Sequence, residues 1–448
     1  MSLRTLLPAA ALLTAVHGAC HAVDLLQVYR EARSNDAAYQ SARAALQAGR
    51  EKVPQGRALV LPTVSATGNS TISDNRVVQE QTGLGRVPFD RDFRTNALTF
   101  SLSQPLYRPQ NVIQYEQSGF QVQQSEAQFA QASQDLVLRV SQAYFDVLSA
   151  ENTLTFVQAQ KTAISEQLAQ AKRNFEVGTA TITDTNEAQA RFDLSVSQEI
   201  AAQNDLEIRK RTLQQIIGRF PEPLAGLRED FSLAPPVPNR MEEWVDAARL
   251  QAYPVRVQEA TVEIADLEVQ RNRAGHHPSV DIVASYGNNL NTGSLQSLVS
   301  SDTRAATLGL QFAVPIYQGG AVNSRVRESL ANLERAKADL ENARRQAALS
   351  AHQSFLGVTN GMAQVRALEQ AVASSQTALA SNRLGYEVGI RINIDVLNSQ
   401  QQLFSTLRDL ARARYDTVLN GLRLKAAAGT LSEEDLVAIN QLLSEPKK

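Results

Sequence analysis

The sequence predicts a mainly α-helical protein that also contains four amphipathic β-strands. Three observations carry this prediction: a long internal duplication, four runs of about ten residues in which apolar and polar side chains alternate, and two long stretches without proline, residues 110–220 and 316–443. A duplication of this length indicates two copies of one architectural unit. Because proline interrupts helices, its absence from such long stretches favours extended helices packed as coiled coils.

The duplication is clearest in a motif that occurs twice. FEVGTATITD, from Phe175 to Asp184, recurs as YEVGIRINID, from Tyr386 to Asp395, at an offset of 211 residues (386 minus 175). LTFSLSQPLY at residues 98–107 recurs as LGLQFAVPIY at residues 308–317. The first motif combines a glycine, β-branched residues and an aspartate, so in each copy it predicts a tight turn between two helices.

Composition and charge narrow the functional classes. The chain of 448 residues has a formal net charge of −2, so no strong positive field argues for nucleic acid. Residues 1–22 are typical of a secretory signal peptide, with Arg4 before an apolar run and small residues before the cleavage point. Lipidation of Cys20 is an alternative. Since no later stretch has about 18 uncharged apolar residues, the exported chain could cross a membrane only as strands.

The first copy is predicted to span residues 23–221. It begins with a helix over residues 24–57, which is followed by a strand pair at residues 63–105. A polar and charged stretch, residues 73–94, is expected to be a long loop between these strands. The long helices come next, with their turn at residues 176–184.

The second copy, residues 240–429, is predicted to repeat this plan. Its strand pair lies at residues 279–315 around a loop at residues 288–303, and its helical turn lies at residues 387–395. The order of elements is therefore the same in both copies, as a duplication requires.

Shorter segments connect and end the copies. The linker, residues 222–239, contains four prolines, and Asn239 with Glu242 predicts a cap at the start of the next helix. Residues 430–448 are predicted to form a short helix, capped by Ser432 and the aspartate three residues later, and a charged tail.

Each predicted strand has one apolar side and one side of small polar groups. In the second copy, Val280, Ile282, Ala284 and Tyr286 alternate with Asp281, Val283 and Ser285. Strands of about ten residues suit a tilted crossing of a lipid bilayer. Two hairpins on a soluble sheet would show the same alternation, so that alternative stays open. Four such runs in two matched pairs, in an exported chain, favour a membrane barrel.

Several longer motifs point to one known family. They are PIYQGG at residues 315–320, LLQVYREARSND at 25–36, HHPSVDIVASYG at 276–287 and the two turns. Together they resemble the TolC family of outer-membrane efflux and secretion ducts of Gram-negative bacteria, over nearly the whole chain after residue 22. The resemblance implies a homotrimer in outer-membrane lipid, with a twelve-stranded β-barrel above an α-helical barrel that extends into the periplasm. Pro315, Gly319 and Gly320 would form the swivel between strand and helix, and Pro109 would begin the equivalent helix of the first copy.

The resemblance also implies a ring of charge at the periplasmic tip. Asp395 from three chains would form a ring of carboxylates that attracts cations. The family's second ring position is Asn398 here, which halves the formal charge relative to a double-aspartate pattern and weakens the expectation of divalent-ion binding.

A gate is implied at the same tip. Tyr386 and Arg391 of the second turn would engage Thr183 and Asp184 of the first turn and hold the tip closed. A few hydrogen bonds and an ion pair, each worth about 1 kcal/mol, could hold such a gate and yet yield to a docking partner. These polar residues could equally stabilise their own turns, and the sequence leaves that alternative open.

No catalytic residue, cofactor or metal is predicted. The sequence has no phosphate-binding glycine loop and no nucleophile elbow, and the adjacent His276 and His277 have no flanking ligand cluster, so a helix-to-strand junction is expected there. A duct without an energy source implies partners: a periplasmic adaptor, and an inner-membrane pump or ABC transporter. The residues expected to contact the adaptor are Val177, Gly178, Val388 and Gly389.

The sequence leaves two questions about function open. A periplasmic coiled-coil adaptor of an export system is the alternative function, because it would also be exported and helical; it leaves the four amphipathic strands unexplained. Within the duct class, the sequence does not decide between drug efflux and protein secretion.

Overall fold

The structure of the protein is a computed structural model, which describes residues 23–81, 85–228, 232–295, 297 and 299–444. The predicted signal peptide with Cys20 lies outside the described residues, as does the end of the tail. The elements up to residue 227 are α1 (Leu25–Asn35), α2 (Ala37–Arg50), α3 (Lys52–Ala58), β1 (Thr63–Gln81), β2 (Gly85–Tyr107), α4 (Pro109–Glu176), α5 (Ile182–Ile217) and β3 (Gly226–Leu227). The later elements are α6 (Met241–Gln251), α7 (Tyr253–Arg273), β4 (Ser279–Asn291), β5 (Ser301–Ala313), α8 (Ala321–Glu387), α9 (Asn393–Ala427), α10 (Glu433–Asn440) and β6 (Leu443–Ser444).

The N-terminal region is not the single helix predicted over residues 24–57. It breaks at Asp36, whose backbone is extended and whose carboxylate accepts a hydrogen bond from the amide of Tyr39 at 2.7 Å. An aspartate that caps the following amides favours a new helix start over helix continuation. A second break follows at Glu51, where α3 begins.

Four strands form one antiparallel sheet in the order β1-β2-β4-β5. The pairing of β1 with β2 runs from Thr63 opposite Ser103 to Gln81 opposite Gly85 without a bulge. The predicted strands are therefore confirmed. Among the described residues, β1 and β5 are the two edges of this sheet, and neither has a strand paired on its outer side.

The sheet has two chemically different faces, as the alternation predicts. Phe100 lies directly opposite Tyr286 on one face, while Ser101 lies opposite Ser285 on the other. Large apolar side chains on the first face are exposed in the single chain; they include Val64, Leu98, Phe100, Tyr286, Leu308, Leu310 and Phe312. This face needs an apolar environment, whereas the Ser, Thr and Asn side chains of the other face suit water.

The loop predicted at residues 73–94 is wrong, because most of this stretch is paired strand. β2 pairs with β4 only from Thr95 onward, so residues 73–81 and 85–94 continue as a two-stranded ribbon beyond the four-stranded sheet. The loop predicted at residues 288–303 is also shorter than expected, since β4 reaches Asn291 and β5 starts at Ser301.

Two helical hairpins make up most of the chain. α4 has 68 residues and α8 has 67, so each is about 100 Å long at 1.5 Å per residue. α5 packs along the distal part of α4, and α9 packs along α8. Pro109 is the first residue of α4, as predicted.

No described helix combines the length and the apolar character that a membrane-spanning helix requires.

The main apolar core lies at mid-height, where α1, α4, α5, α9 and α10 meet. Tyr144 of α4 is fully buried there, and its hydroxyl donates to the carbonyl oxygens of Val23 at 3.1 Å and Ala225 at 2.7 Å. Burial raises the pKa of this phenol well above its usual value. The main apolar core thus lies between the strands and the helical tips.

One of the two predicted helix caps is confirmed. Ser432 and Asp435 form a reciprocal capping box at the start of α10. The cap predicted from Asn239 and Glu242 is wrong, because α6 starts at Met241 after Arg240, and no side chain caps it.

Candidate functional site

The repeated motif forms the same turn in both copies. α4 ends at Glu176 and α5 begins at Ile182, while α8 ends at Glu387 and α9 begins at Asn393. Gly178 and Gly389 both have φ +78°, in the left-handed region that glycine adopts without strain. The predicted reversals between helices are therefore confirmed.

The predicted docking residues lie at the outer end of these turns. Val177 is 73% exposed and Val388 is 62% exposed, and each is followed by the left-handed glycine. A β-carbon added to Gly178 or Gly389 would meet no atom within 4 Å, so backbone conformation rather than crowding favours glycine there. Each turn therefore presents an exposed apolar side chain beside uncovered backbone.

In the first turn, Asp184 caps its own helix. Its carboxylate accepts hydrogen bonds from the amide of Thr181 at 2.9 Å and from the hydroxyl of Thr181 at 2.7 Å. The Thr181 hydroxyl accepts from the amide of Asp184 in return, which completes a capping box. Thr183 is exposed.

In the second turn, Asp395, the residue predicted to form the ring, has a positively charged partner within its own chain. Arg391 lies 3.6 Å from the carboxylate of Asp395, one helical turn away. The side-chain oxygen of Asn398 accepts a hydrogen bond from Arg191 of α5 at 3.1 Å. Both predicted ring positions thus lie next to a guanidinium, which reduces the negative field at the tip.

Two asparagines that the sequence analysis missed connect the hairpins. The side-chain amide of Asn174, on α4, donates to the hydroxyl of Tyr386 at 3.1 Å. Asn393 is buried; its amide donates to the backbone oxygen of Asp184 at 3.4 Å, and its side-chain oxygen accepts from Gln167. The predicted bonds from Tyr386 and Arg391 to Thr183 and Asp184 are not among the described contacts within one chain.

Comparison of the two copies could have identified Asn393. At the offset of 211 residues it corresponds to Ile182, so a buried amide replaces an apolar side chain at this position of the repeat. Around it, Ile164, Leu168, Ala171, Ala188 and Leu397 form an apolar cluster that joins both hairpins. A buried polar group in such a cluster has a specific partner as a rule, and here it holds one hairpin against the other.

The strand-to-helix junctions are polar and compact. Gly319 and Gly320 have φ +60° and +82°, which lets the chain change direction before α8. In the first copy Arg108 takes this place and forms a bidentate ion pair with the buried carboxylate of Asp281, at 2.8 and 2.6 Å. His277 contacts the hydroxyl of Tyr107 at 3.3 Å. Among the described residues, no cluster of three or more potential metal ligands is present here or elsewhere.

The family comparison agrees with this architecture. Residues 28–219 and 244–430 match the family described as outer membrane efflux protein. The chain belongs to this family.

Individual members of the outer membrane efflux protein family match over almost their whole length. The outer membrane protein TolC of Vibrio cholerae is 31% identical over 450 residues, which cover 100% of both chains. The proteases secretion protein PrtF of Dickeya chrysanthemi is 32% identical, and the match covers 94% of this chain and 91% of that protein. Among solved structures, the Campylobacter jejuni CmeC outer membrane channel has a TM-score of 0.78 at 15% identity, over 93% of this chain and 89% of that one.

The family settles three predictions made from the sequence. The resemblance to the TolC family and the mainly helical fold with a strand part are confirmed. The chain is an outer-membrane channel protein that extends into the periplasm, and the alternative of a periplasmic adaptor is not favoured.

Proposed function

We propose that three copies of the chain form one exit duct from the periplasm across the outer membrane. The unpaired edges of β1 and β5 support this, because open strand edges are not tolerated in lipid. Three four-stranded sheets joined edge to edge give a closed barrel, with the exposed apolar face toward lipid and the Ser, Thr and Asn face toward a water-filled lumen.

The duct is proposed to be passive and to work with partners. A periplasmic adaptor would bind the exposed turns at Val177, Gly178, Val388 and Gly389, and an inner-membrane pump or ABC transporter would supply the energy. The names of the relatives include both secretion and efflux: one is alkaline protease secretion protein AprF, and another is outer membrane efflux protein BepC. We therefore propose export of proteins or of small molecules through the same duct, without a catalytic step.

The tip is proposed to be the gate. Within each chain, the hydrogen bond from Asn174 to Tyr386 ties the second turn to the first hairpin, and the ion pair between Arg391 and Asp395 lies within the second turn itself. Bonds of this kind contribute about 1 kcal/mol each, so a docking partner could break several of them together. Thr183, which is exposed, and Asp184, which is half-buried and caps its own helix, stay the proposed partners of a neighbouring hairpin.

Single-channel conductance in a planar bilayer tests the gate. We expect the double variant Tyr386→Phe with Arg391→Ser to conduct several-fold better than wild type, because both contacts are lost. Asn174→Ala should raise conductance in the same direction, since it removes the donor to Tyr386.

Arg383→Ser is the matched control. Arg383 is exposed on the same helix, and no contact of its side chain is described, so its loss should leave conductance unchanged. Equal conductance of wild type and the double variant would rule out the proposed gate while leaving the duct intact. A wild-type protein that conducts no ions at all would argue against the duct.

A further inference from the structure

The ribbon formed by residues 73–81 and 85–94 continues the two faces of the sheet. The register places Asp74 opposite Asp92 and Arg76 opposite Asp90, on the face that carries Phe100 and the other exposed apolar side chains lower down. The odd-numbered residues, in register with the Ser and Thr face, include Asn75 opposite Arg91. Because the pairing has no bulge, the assignment of faces carries through from the sheet to the ribbon.

Arg91 lies close above the part of the sheet that all four strands share. β2 leaves β4 at Thr95, and four residues of strand cover about 13 Å. Over so short a distance strand twist turns the side chain only moderately, so Arg91 stays on the face of the Ser and Thr side chains.

The luminal face below Arg91 is uncharged over a long distance. From Thr63 to Asn75 on β1 and from Thr95 to Ser103 on β2, the odd-numbered side chains are Ser, Thr, Asn or Ala. On β4 the acid on this face is Asp281 at the foot of the sheet, and Arg108 neutralises it at 2.6 Å. Arg91 is thus the first unbalanced charge that a solute would meet on its way out through the strands.

The guanidinium of Arg91 contacts an aromatic ring but has no polar partner among the residues that the structure describes. Its central carbon lies 5.1 Å from the centre of the Phe89 ring, on the same face of the same strand. One terminal nitrogen is buried and donates no hydrogen bond, and none of the described carboxylates lies within ion-pairing distance of it. By contrast, Arg76 on the other face approaches Asp90 at 3.9 Å. Arg91 as a whole is only half-buried, so part of its side chain stays accessible to an anion, and none of the described ion pairs balances its charge.

We propose that Arg91 of three chains forms a cationic ring at the outer mouth of the duct that binds multivalent anions. This inference rests on the proposed trimeric duct. Three like charges around one axis add their fields at the mouth of the lumen. The ring attracts anionic solutes at the exit and repels multivalent cations that approach from outside, and the stacking on Phe89 keeps the guanidinium at the lumen wall.

Anion block of the purified full-length protein in a planar bilayer tests the ring. Inositol hexakisphosphate, a multivalent anion, is added to the compartment that faces the loops of the strands. We expect block of the wild-type current, and we expect Arg91→Gln to weaken the apparent affinity of block by about tenfold or more, because all three charges act on the same anion.

Arg76→Gln is the matched control, since it removes a charge from the same ribbon on the opposite face. Its block should equal that of wild type, and its conductance before the anion is added should also match that of wild type. A conducting wild type that the anion does not block, an Arg91→Gln variant that is blocked as strongly as wild type, or an equal loss in Arg76→Gln would each overturn the ring. A wild type without any conductance would contradict the duct itself and, with it, the ring.

Discussion

Asp36 performs two tasks with one carboxylate, and both depend on its charge. It caps α2 and forms a bidentate contact with Arg139 of α4, at 3.0 and 2.9 Å, while it is almost completely buried. Burial alone would raise the pKa of Asp36, but the hydrogen bonds from Arg139 and from the amide of Tyr39 outweigh it, so its pKa is lowered. The charged form is therefore the one that stabilises the fold.

We expect Asp36→Asn to lower the free energy of unfolding by about 1–3 kcal/mol at neutral pH, because asparagine keeps the cap and loses the ion pair. The wild-type advantage is fully present above the ordinary aspartate pKa of about 3.9 and disappears as pH falls through the lowered pKa of the folded state. Thermal unfolding of both proteins at neutral and strongly acidic pH measures this. Glu126→Gln, which breaks the exposed pair of Glu126 with Arg50, should change little; a loss as large as that of Asp36→Asn would contradict the role of burial.

Single residues also mark the limit of what the sequence predicts. The sequence singles out the turn glycines and Asp395 because the duplication repeats them. It does not single out Asn174 and Asn393, because their partners are more than 200 residues away and no local sequence pattern identifies the acceptor of a side-chain amide. Polar contacts between distant segments depend on packing, which a single sequence does not contain.

At the scale of elements, the alternation of apolar and polar side chains predicts a strand where one face contacts lipid and the other contacts water. The sequence predicts a strand for residues 63–72 because one side is apolar, whereas it predicts a loop for residues 73–94, although the strand register continues to Gln81 opposite Gly85. Above the lipid both faces of the ribbon meet water, so side chains of either face can be charged and the period of two disappears from the sequence. The prediction of one helix over residues 24–57 is wrong for another reason. The helical spacing of apolar residues continues through this region, but the backbone breaks at Asp36 and Glu51.

The junction between β5 and α8 depends on left-handed glycines, which yields an element-scale prediction. A β-carbon at Gly319 or Gly320 would meet no atom within 4 Å, so any cost of substitution comes from backbone conformation alone. We expect the double variant Gly319→Ala with Gly320→Ala to lose about 2–4 kcal/mol per chain. The temperature at which helical circular dichroism is lost measures it.

Gly119→Ala provides the comparison for this variant. Gly119 lies within α4, has no left-handed backbone, and an added β-carbon would also meet open space there. At this position alanine should be neutral or slightly stabilising, because it restricts the unfolded chain. Equal unfolding temperatures for the junction variant and wild type would mean that the turn can be made by ordinary residues.

At the scale of the whole molecule, the exposed apolar face of the sheet requires lipid. Leu308 is 79% exposed, and Thr307, its neighbour in sequence, points to the opposite face and contacts Ser285. We expect Leu308→Arg to reduce the yield of heat-modifiable trimer in outer membranes strongly, since a lipid-facing arginine near the bilayer centre costs about 2–4 kcal/mol per chain.

Thr307→Arg should be tolerated, because its side chain would enter water in the lumen. Light scattering of the detergent-purified proteins should find three chains per particle in wild type and in Thr307→Arg. A water-soluble monomer that needs no detergent would contradict both the barrel and the assignment of its faces.

The two helical turns share one backbone but differ in their side chains, and this difference has a consequence for how the channel arose. A half-length ancestor would have placed six equivalent turns around one axis. At the offset of 211 residues, Tyr386 stands where the first copy has Phe175, and Arg391 stands where it has Ala180. The hydroxyl and the guanidinium of the candidate gate thus occur in only one member of each pair. A gate that uses these two groups therefore divides the six turns of a trimer into three pairs of unlike members, although the backbone of the turn is the same in both copies.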